Sequence, residues 1–221
     1  MPSSVSANPS SPARPVITGL GCVSPLGTGV PATRDALNAG RDGISTVRLF
    51  PVQTFQSSTA GQVPPGVEAL SEQLFSGSKD WTRAARLILP AMHEALAARP
   101  GFVPEIVVAG TTSGGMDFGE QFFRGLSPGL DARLARHWVH GYVPQQPVID
   151  VLEVFGFDAP VRIVSNACAS GTNALCLAAG LVRNRRARRV MALGFDALAE
   201  LVFAGFDCLR ASTTEKCRPF D

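Results

Sequence analysis

The stretch that decides the fold is VRIVSNACASGTNALCLAAGLVR, residues 161–183. Its opening residues, VRIVS, are rich in β-branched apolar side chains and predict a buried strand. From Cys168 to about Asn184 the sequence predicts a helix that carries small or apolar residues on every side, a pattern typical of buried helices. The stretch therefore predicts a strand that delivers Cys168 to the first turn of a helix covered on both faces.

Segments of the same two kinds alternate along the rest of the chain, which predicts an α/β fold with a parallel sheet. The predicted strands cover residues 16–21, 105–110, 161–165 and 188–196, and the predicted helices cover residues 31–40, 80–98, 115–124, 129–138, 143–156, 168–184 and 198–209. We expect Asp80 to cap the second of these helices and Pro90 to kink or break it. Residues 41–78 hold many Pro, Gly and Ser and predict an extended loop.

The composition predicts a globular protein and argues against several functions. Of the 221 residues 45% are hydrophobic and 17% charged, and a net charge of +2 predicts neither a nucleic-acid partner nor a membrane partner. The five cysteines form no CxxC pair, which argues against a disulfide framework or a zinc site and favours reduced thiols in the cytoplasm. Residues 1–14, rich in Ser and Pro, predict a disordered tail before a single domain over residues 15–221.

The position of Cys168 at the predicted start of a helix favours a role as a nucleophile. A helix N-terminus carries unpaired amide hydrogens and a partial positive charge, which together stabilise a thiolate. The same amides can bind the oxyanion that forms when a thioester carbonyl is attacked. Ser170, Gly171 and Thr172 are small, so a substrate could approach closely. A small thiol packed in the core is the alternative, and from position alone both interpretations stay open.

The sequence around Cys168 resembles a known family. Residues 165–175, SNACASGTNAL, are similar to the nucleophile motif of the β-ketoacyl-acyl carrier protein synthases. Further stretches resemble that family in the same order: VITGLGCVSPLG, VAGTTSGG, GFDALAELVFAGFDCLRAST and KCRPFD. The resemblance covers residues 15–221 and corresponds to the N-terminal half of such an enzyme. It implies the thiolase-like fold, in which two similar βαβαββ-type halves form five layers, with a buried central helix that starts at the nucleophile.

The resemblance implies a role for several residues of this chain. Cys168 would be the catalytic nucleophile that carries the acyl group. Phe206 would form an aromatic wall of the acyl pocket, and Ser113 would occupy a position in the glycine loop that can limit chain length. Tyr142 would lie where the partner subunit of a dimer reaches the pocket, and Arg210 would contribute to carrier-protein docking. Ordinary core packing is the alternative for Phe206 and Tyr142.

The resemblance also implies a reaction and its partners. The nucleophile would take an acyl chain from an acyl carrier protein and condense it with malonyl-acyl carrier protein, which loses carbon dioxide, as in fatty acid or polyketide-type biosynthesis. We expect no cofactor and no metal, since the phosphopantetheine arm belongs to the carrier. A homodimer is expected, because in this family the strand corresponding to VRIVS pairs with its symmetry mate. The alternatives are a non-catalytic half-subunit or scaffold partner, and a coenzyme A-dependent acyltransferase of the same fold.

The chain departs from the family in one respect. Members of the family are longer, and their second half supplies two catalytic histidines, a lysine and a second oxyanion donor. The three histidines of this chain, His93, His137 and His140, match neither catalytic histidine. The spacing of His137 and His140 favours a polar helix face over a metal site. We therefore expect this chain alone to be incomplete as a condensing enzyme.

Overall fold

The structure is a computed structural model that describes residues 13–218, except for the side chain of Lys79. Most of the predicted tail (1–12) and the end of the KCRPFD stretch (219–221) lie outside the described residues. The helices are α1 (Val30–Asn38), α2 (Val67–Leu74), α3 (Arg83–Ala97), α4 (Met116–Gly125), α5 (Ala132–Tyr142), α6 (Gln146–Val154), α7 (Ser170–Arg183), α8 (Glu200–Cys208) and a 3₁₀ helix (Ser76–Asp80). The strands are β1 (Val23–Ser24), β2 (Gly27–Thr28), β3 (Ile44–Thr46), β4 (Thr59–Gly61), β5 (Ile106–Gly110), β6 (Val161–Val164) and β7 (Val190–Gly194).

The core is built on a parallel sheet in the order β6-β5-β7. The central strand β5 is buried throughout, and its alternate side chains face opposite layers. Val107 and Ala109 pack with apolar side chains of α3 and α6, whereas Ile106 and Val108 pack with those of α7. The parallel α/β arrangement predicted from the sequence is therefore confirmed, with α3 and α6 on one face of the sheet and α7 on the other.

Within residues 13–218 one face of α7 is covered, and the covering of its other face stays a prediction. Ala174, Ala178 and Leu181 face the sheet and are buried. Leu175 is 56% exposed and Leu177 37% exposed on the other side of the helix. The three buried residues recur at the i, i+4 and i+7 spacing of a single helix face, the face that packs on the sheet.

The helix α3 differs from its prediction at two points. It runs without interruption through Pro90, which is itself buried, because its apolar face packs on β5 and α6 through Leu89 and Met92. Its cap is Thr82, whose hydroxyl oxygen accepts a hydrogen bond from the amide of Ala85 at 3.2 Å. The predicted cap, Asp80, instead ends the preceding 3₁₀ helix.

The region predicted as loop, residues 41–78, contains regular structure. The strands β3 and β4 pair in an antiparallel ribbon, and α2 follows Gly66, whose φ of 99° lies in the left-handed region. Val67 and Ser71 of α2 are buried against α3, which explains why so short a helix forms among many proline and glycine residues.

The predicted strand over residues 16–21 is not a strand in the structure. Val16 and Ile17 are each 77% exposed, so within the described part of the chain no neighbouring strand pairs with them. Gly19 and Gly21 instead lie against the backbone of α3, where an added Cβ would come within 2.2 Å of the Ala95 carbonyl oxygen and 1.7 Å of the Ala91 carbonyl oxygen. This close approach accounts for the glycines that the sequence pattern placed in a strand and turn.

None of the helices in residues 13–218 combines enough length with enough hydrophobicity to cross a bilayer.

Candidate active site

Cys168 lies in a tight turn between β6 and α7. The helix begins at Ser170, two residues later than predicted, and the side chain of Cys168 is exposed. Ala167, directly before it, has a φ of 46°, in the left-handed region that side chains other than glycine seldom adopt. The thiol is therefore presented on an unusual backbone turn at the start of α7, and the alternative of a buried core thiol does not hold within the described structure.

Two hydroxyl groups hold the turn before Cys168. The Ser170 hydroxyl oxygen accepts a hydrogen bond from the Asn166 amide at 2.8 Å, and the hydroxyl donates to the Ala167 carbonyl oxygen at 2.6 Å. The Thr112 hydroxyl donates to the same carbonyl oxygen at 3.0 Å. A left-handed non-glycine residue persists when its surroundings over-determine it. Ser170, which is 2% exposed, therefore supports the turn and is not an open wall for substrate.

Glycine residues bring the start of α7 directly onto the sheet. A Cβ at Gly110, the last residue of β5, would lie 2.3 Å from the Ser170 carbonyl oxygen and 2.7 Å from the Gly171 nitrogen. A Cβ at Gly194, the last residue of β7, would lie 3.0 Å from the Gly171 Cα. The carboxyl ends of two strands therefore meet the helix at the position of the Cys168 turn.

Asp196 organises the loop that follows β5. Its Oδ1 accepts hydrogen bonds from the amides of Thr112 at 3.0 Å and Ser113 at 2.8 Å. The same oxygen accepts from the hydroxyls of Thr111 at 2.9 Å and Ser113 at 2.6 Å. Sequence reasoning missed Asp196. Its position just after β7 could have indicated it, because polar residues that follow neighbouring parallel strands meet at one edge of a sheet.

The other residues predicted for the site lie on three different elements. Ser113 is buried and joined to the Cys168 turn through the loop of residues 111–113, with its hydroxyl bound to Asp196. Tyr142, at the end of α5, is 45% exposed and packs its ring over Gly119 of α4. Arg210 is exposed just after α8, with a φ of 53°.

Phe206 lies on the exposed side of α8, with 48% of its surface accessible. The ring that packs inward from this helix is Phe203, whose centroid lies 5.4 Å from that of Phe50 and 5.3 Å from that of Phe55. Asp207 fixes the same helix to this segment by accepting hydrogen bonds from the amides of Gln56 and Ser57. Phe206 is therefore available to a ligand, whereas Phe203 is the core residue of the pair.

A half-buried carboxyl group fixes the helix that follows the loop. Asp117, in the first turn of α4, accepts a hydrogen bond from the Arg83 amide at 2.8 Å. Burial raises the pKa of the Asp117 carboxyl, and the nearby amide hydrogen bonds and the charges of Arg86 and Arg83 oppose that rise only in part. Glu68 holds both guanidinium groups, at 2.9 Å from Arg83 and 2.8 Å from Arg86. The starts of α3 and α4 are therefore joined beside the loop.

Comparison with known protein families identifies the family to which this chain is related. Residues 13–221 match the family described as "Beta-ketoacyl synthase, N-terminal domain". The chain belongs to the β-ketoacyl synthase family. It corresponds to the N-terminal half of these proteins, as the motifs around Cys168 predicted.

Relatives of this β-ketoacyl synthase chain include a polyketide synthase subunit and a 3-oxoacyl-[acyl-carrier-protein] synthase. It is 32% identical to the tetracenomycin polyketide synthase ketoacyl synthase alpha subunit of Streptomyces glaucescens, over 94% of this chain and 53% of the relative. It is 25% identical to the 3-oxoacyl-[acyl-carrier-protein] synthase 2 of Staphylococcus aureus (strain COL), with the same coverage of each chain. The chain thus spans about half the length of the relatives it matches.

Solved structures show the same fold. The ishigamide ketosynthase/chain length factor superposes with a TM-score of 0.81 at 23% identity, over 96% of this chain and 54% of that one. A type II polyketide synthase ketosynthase in complex with its acyl-carrier protein, AntDE:AntF, gives a TM-score of 0.73 at 23% identity, over 94% of this chain and 51% of that one. The thiolase-like fold class predicted for this β-ketoacyl synthase chain is therefore confirmed.

Proposed function

We propose that Cys168 is the acyl-accepting nucleophile of a β-ketoacyl synthase. The observation that carries this proposal is the exposed thiol on a left-handed turn immediately before α7. Within residues 13–218 the Cys168 amide has no hydrogen-bond acceptor, so its N–H is available to an oxyanion.

The proposed first stage is an acyl transfer. The Cys168 thiolate attacks the thioester carbonyl carbon of an acyl group on the phosphopantetheine arm of an acyl carrier protein. A new sulfur–carbon bond forms, the bond to the carrier sulfur breaks, and the carrier thiolate leaves and takes up a proton. In the second stage a malonyl group loses carbon dioxide, and the resulting carbanion attacks the Cys168 thioester. This step releases Cys168 and gives a 3-oxoacyl chain on the carrier.

We assign the acyl transfer to this chain. The groups that assist decarboxylation are not assigned to any of its residues. His93 lies on α3, and His137 and His140 lie on α5, all with exposed side chains. None of them takes part in the described hydrogen bonds around the Cys168 turn. Condensation by the whole protein is therefore proposed to need further groups, as the family resemblance implies.

A carrier-protein partner is proposed over the alternatives. One structural neighbour is a ketosynthase bound to an acyl-carrier protein, and another is named as a ketosynthase/chain length factor. Chain-length partners typically lack the nucleophile, so the exposed Cys168 favours a catalytic subunit. A coenzyme A-dependent enzyme stays the second alternative, and the likeness to the polyketide and fatty acid enzymes argues against it.

Limited alkylation tests the nucleophile directly. The five cysteines include four with exposed side chains: Cys168, Cys176, Cys208 and Cys217. If exposure alone governed reactivity, limiting iodoacetamide would label all four alike, so we expect a large excess of adduct on Cys168 when the labelled peptides are mapped by mass spectrometry. Cys176 is the matched control, because it is also exposed and lies on α7, the helix that follows Cys168. Equal labelling of Cys176, or faster labelling of any other cysteine, would refute the proposal.

A homodimer formed through β6 is also proposed. This strand pairs with β5 on one side, and no strand among residues 13–218 pairs with its other side. A free strand edge is a template for pairing with another chain. Light scattering of the complete protein at micromolar concentration should give the mass of a dimer, and a stable monomer would count against the pairing.

A further inference from the structure

Asp196 is connected to the Cys168 turn by two successive hydrogen bonds. The Thr112 amide donates to Asp196 Oδ1 at 3.0 Å, and the Thr112 hydroxyl donates to the Ala167 carbonyl oxygen at 3.0 Å. Ala167 is the left-handed residue that precedes the nucleophile. Thr112 thus binds a carboxylate with its backbone and the strained turn with its side chain.

We propose that Asp196 is a positioning residue that sets the geometry of the Cys168 turn through Thr112. This inference rests on the proposed function, because it concerns how the nucleophile is held. It gives a role to the Asp196 carboxylate, whose Oδ1 atom accepts four hydrogen bonds from residues 111–113. Hydrogen bonds to an ionised acceptor are roughly twice as strong as those between neutral groups. A carboxylate is therefore suited to hold a loop that must in turn hold a strained backbone.

The converging donors explain why Ala167 can keep its conformation. Its carbonyl oxygen accepts hydrogen bonds from the hydroxyls of Thr112 and Ser170 and from the Ser170 amide. The two contributions of Ser170 come from within the turn. The hydroxyl of Thr112 is the contact from a different segment, and its position depends on the loop that Asp196 fixes. Without Asp196 the turn would be held by local contacts, and the sulfur would occupy a wider range of positions.

The test compares three substitutions with a matched control in the full chain. Asp196→Ala removes the acceptor, and Asp196→Asn keeps an oxygen at the same place. Thr112→Val removes the hydroxyl that contacts the Ala167 carbonyl oxygen at 3.0 Å and the Ser170 hydroxyl at 3.5 Å, and it keeps the amide that binds Asp196. The control is Asp131→Ala, which removes a carboxylate that accepts two amide hydrogen bonds at the start of α5. The measured quantity is the rate of Cys168 alkylation divided by that of Cys176 in the same molecule, at a pH well above the ordinary thiol pKa of about 8.5.

We expect Asp196→Ala and Thr112→Val to lower this ratio roughly tenfold, because small displacements of a reacting group have large effects on rate. Asp196→Asn should restore most of the ratio, and Asp131→Ala should leave it unchanged. A general loosening of the fold would change the alkylation rates of both Cys168 and Cys176, and Asp196→Asn would not reverse it. An unchanged ratio in both Asp196→Ala and Thr112→Val, or an equal fall in Asp131→Ala, would overturn the inference.

Hydrogen exchange separates this inference from the proposed function. The Asn166 amide is protected by the Ser170 hydroxyl, so its exchange reports on the turn whether or not the thiol reacts. We expect faster exchange at Asn166 in Asp196→Ala and in Thr112→Val, and unchanged exchange in the control. If wild-type Cys168 proves unreactive, the proposed function fails while the exchange rates still decide the role of Asp196. If Asp196→Ala does not fold, Thr112→Val decides it, because that substitution leaves the loop bound to the carboxylate.

Discussion

Replacing Cys168 with alanine is expected to abolish transfer of an acyl group to the chain. The proposed reaction makes its new bond at the Cys168 sulfur, so alanine leaves no atom that can carry the acyl group there. Removal of a covalent nucleophile costs on the order of 10⁶-fold in rate where it has been measured in other enzymes. The measurement is the intact mass of the protein after incubation with an acyl carrier protein that bears a thioester-linked acyl chain.

The control for this substitution is Cys176→Ala. Cys176 is exposed on α7, eight positions beyond Cys168, and the described structure gives it no part in the turn. The control should acquire the acyl mass at the wild-type rate. An acylated Cys168→Ala protein, with the acyl group mapped to another cysteine, would mean that the nucleophile has been misassigned.

Local patterns were sufficient for the elements that form the core. Short apolar runs predicted β5, β6 and β7, and the structure confirms all three. Gly156, with a φ of 65°, follows α6 near the predicted end of that helix. These signals are local, because strand propensity and left-handed helix ends depend on neighbouring residues. Cys168 could be placed between β6 and α7 for the same reason.

The features that the sequence did not reveal depend on contacts between distant segments. Asp196 reaches residues 111–113 across more than eighty positions of the chain. Its position just after β7 places it at the right edge of the sheet, but the four donors that it binds follow a different strand. The left-handed conformation of Ala167 is likewise imposed by Thr112 and Ser170 and is not favoured by alanine itself. The helix α2 forms because it packs on α3, although its surroundings are rich in proline and glycine. In each case tertiary packing decided what intrinsic preference left open.

Replacing Gly110 with alanine is expected to destabilise the protein and to disturb the Cys168 turn. The added Cβ would lie 2.3 Å from the Ser170 carbonyl oxygen and 2.4 Å from its carbonyl carbon. Both are backbone atoms at the start of α7, so the overlap cannot be relieved by a side-chain rotation. Overpacking of this kind costs about 1–3 kcal/mol and occasionally more. The helix start must move away from β5, and the turn that it anchors must move with it.

The matched control is Gly180→Ala, which adds the same methyl group on α7, the helix that Gly110 contacts. A Cβ at Gly180 meets no atom within 4 Å, and alanine is favoured over glycine in a helix interior by about 0.5–1 kcal/mol. Urea unfolding should therefore show a lower free energy of unfolding for Gly110→Ala and an equal or higher one for Gly180→Ala. Limited iodoacetamide should also label Cys168 more slowly in the first variant than in the second. If Gly110→Ala matched the wild type in both measurements, the close approach of β5 to α7 would not be what places the nucleophile.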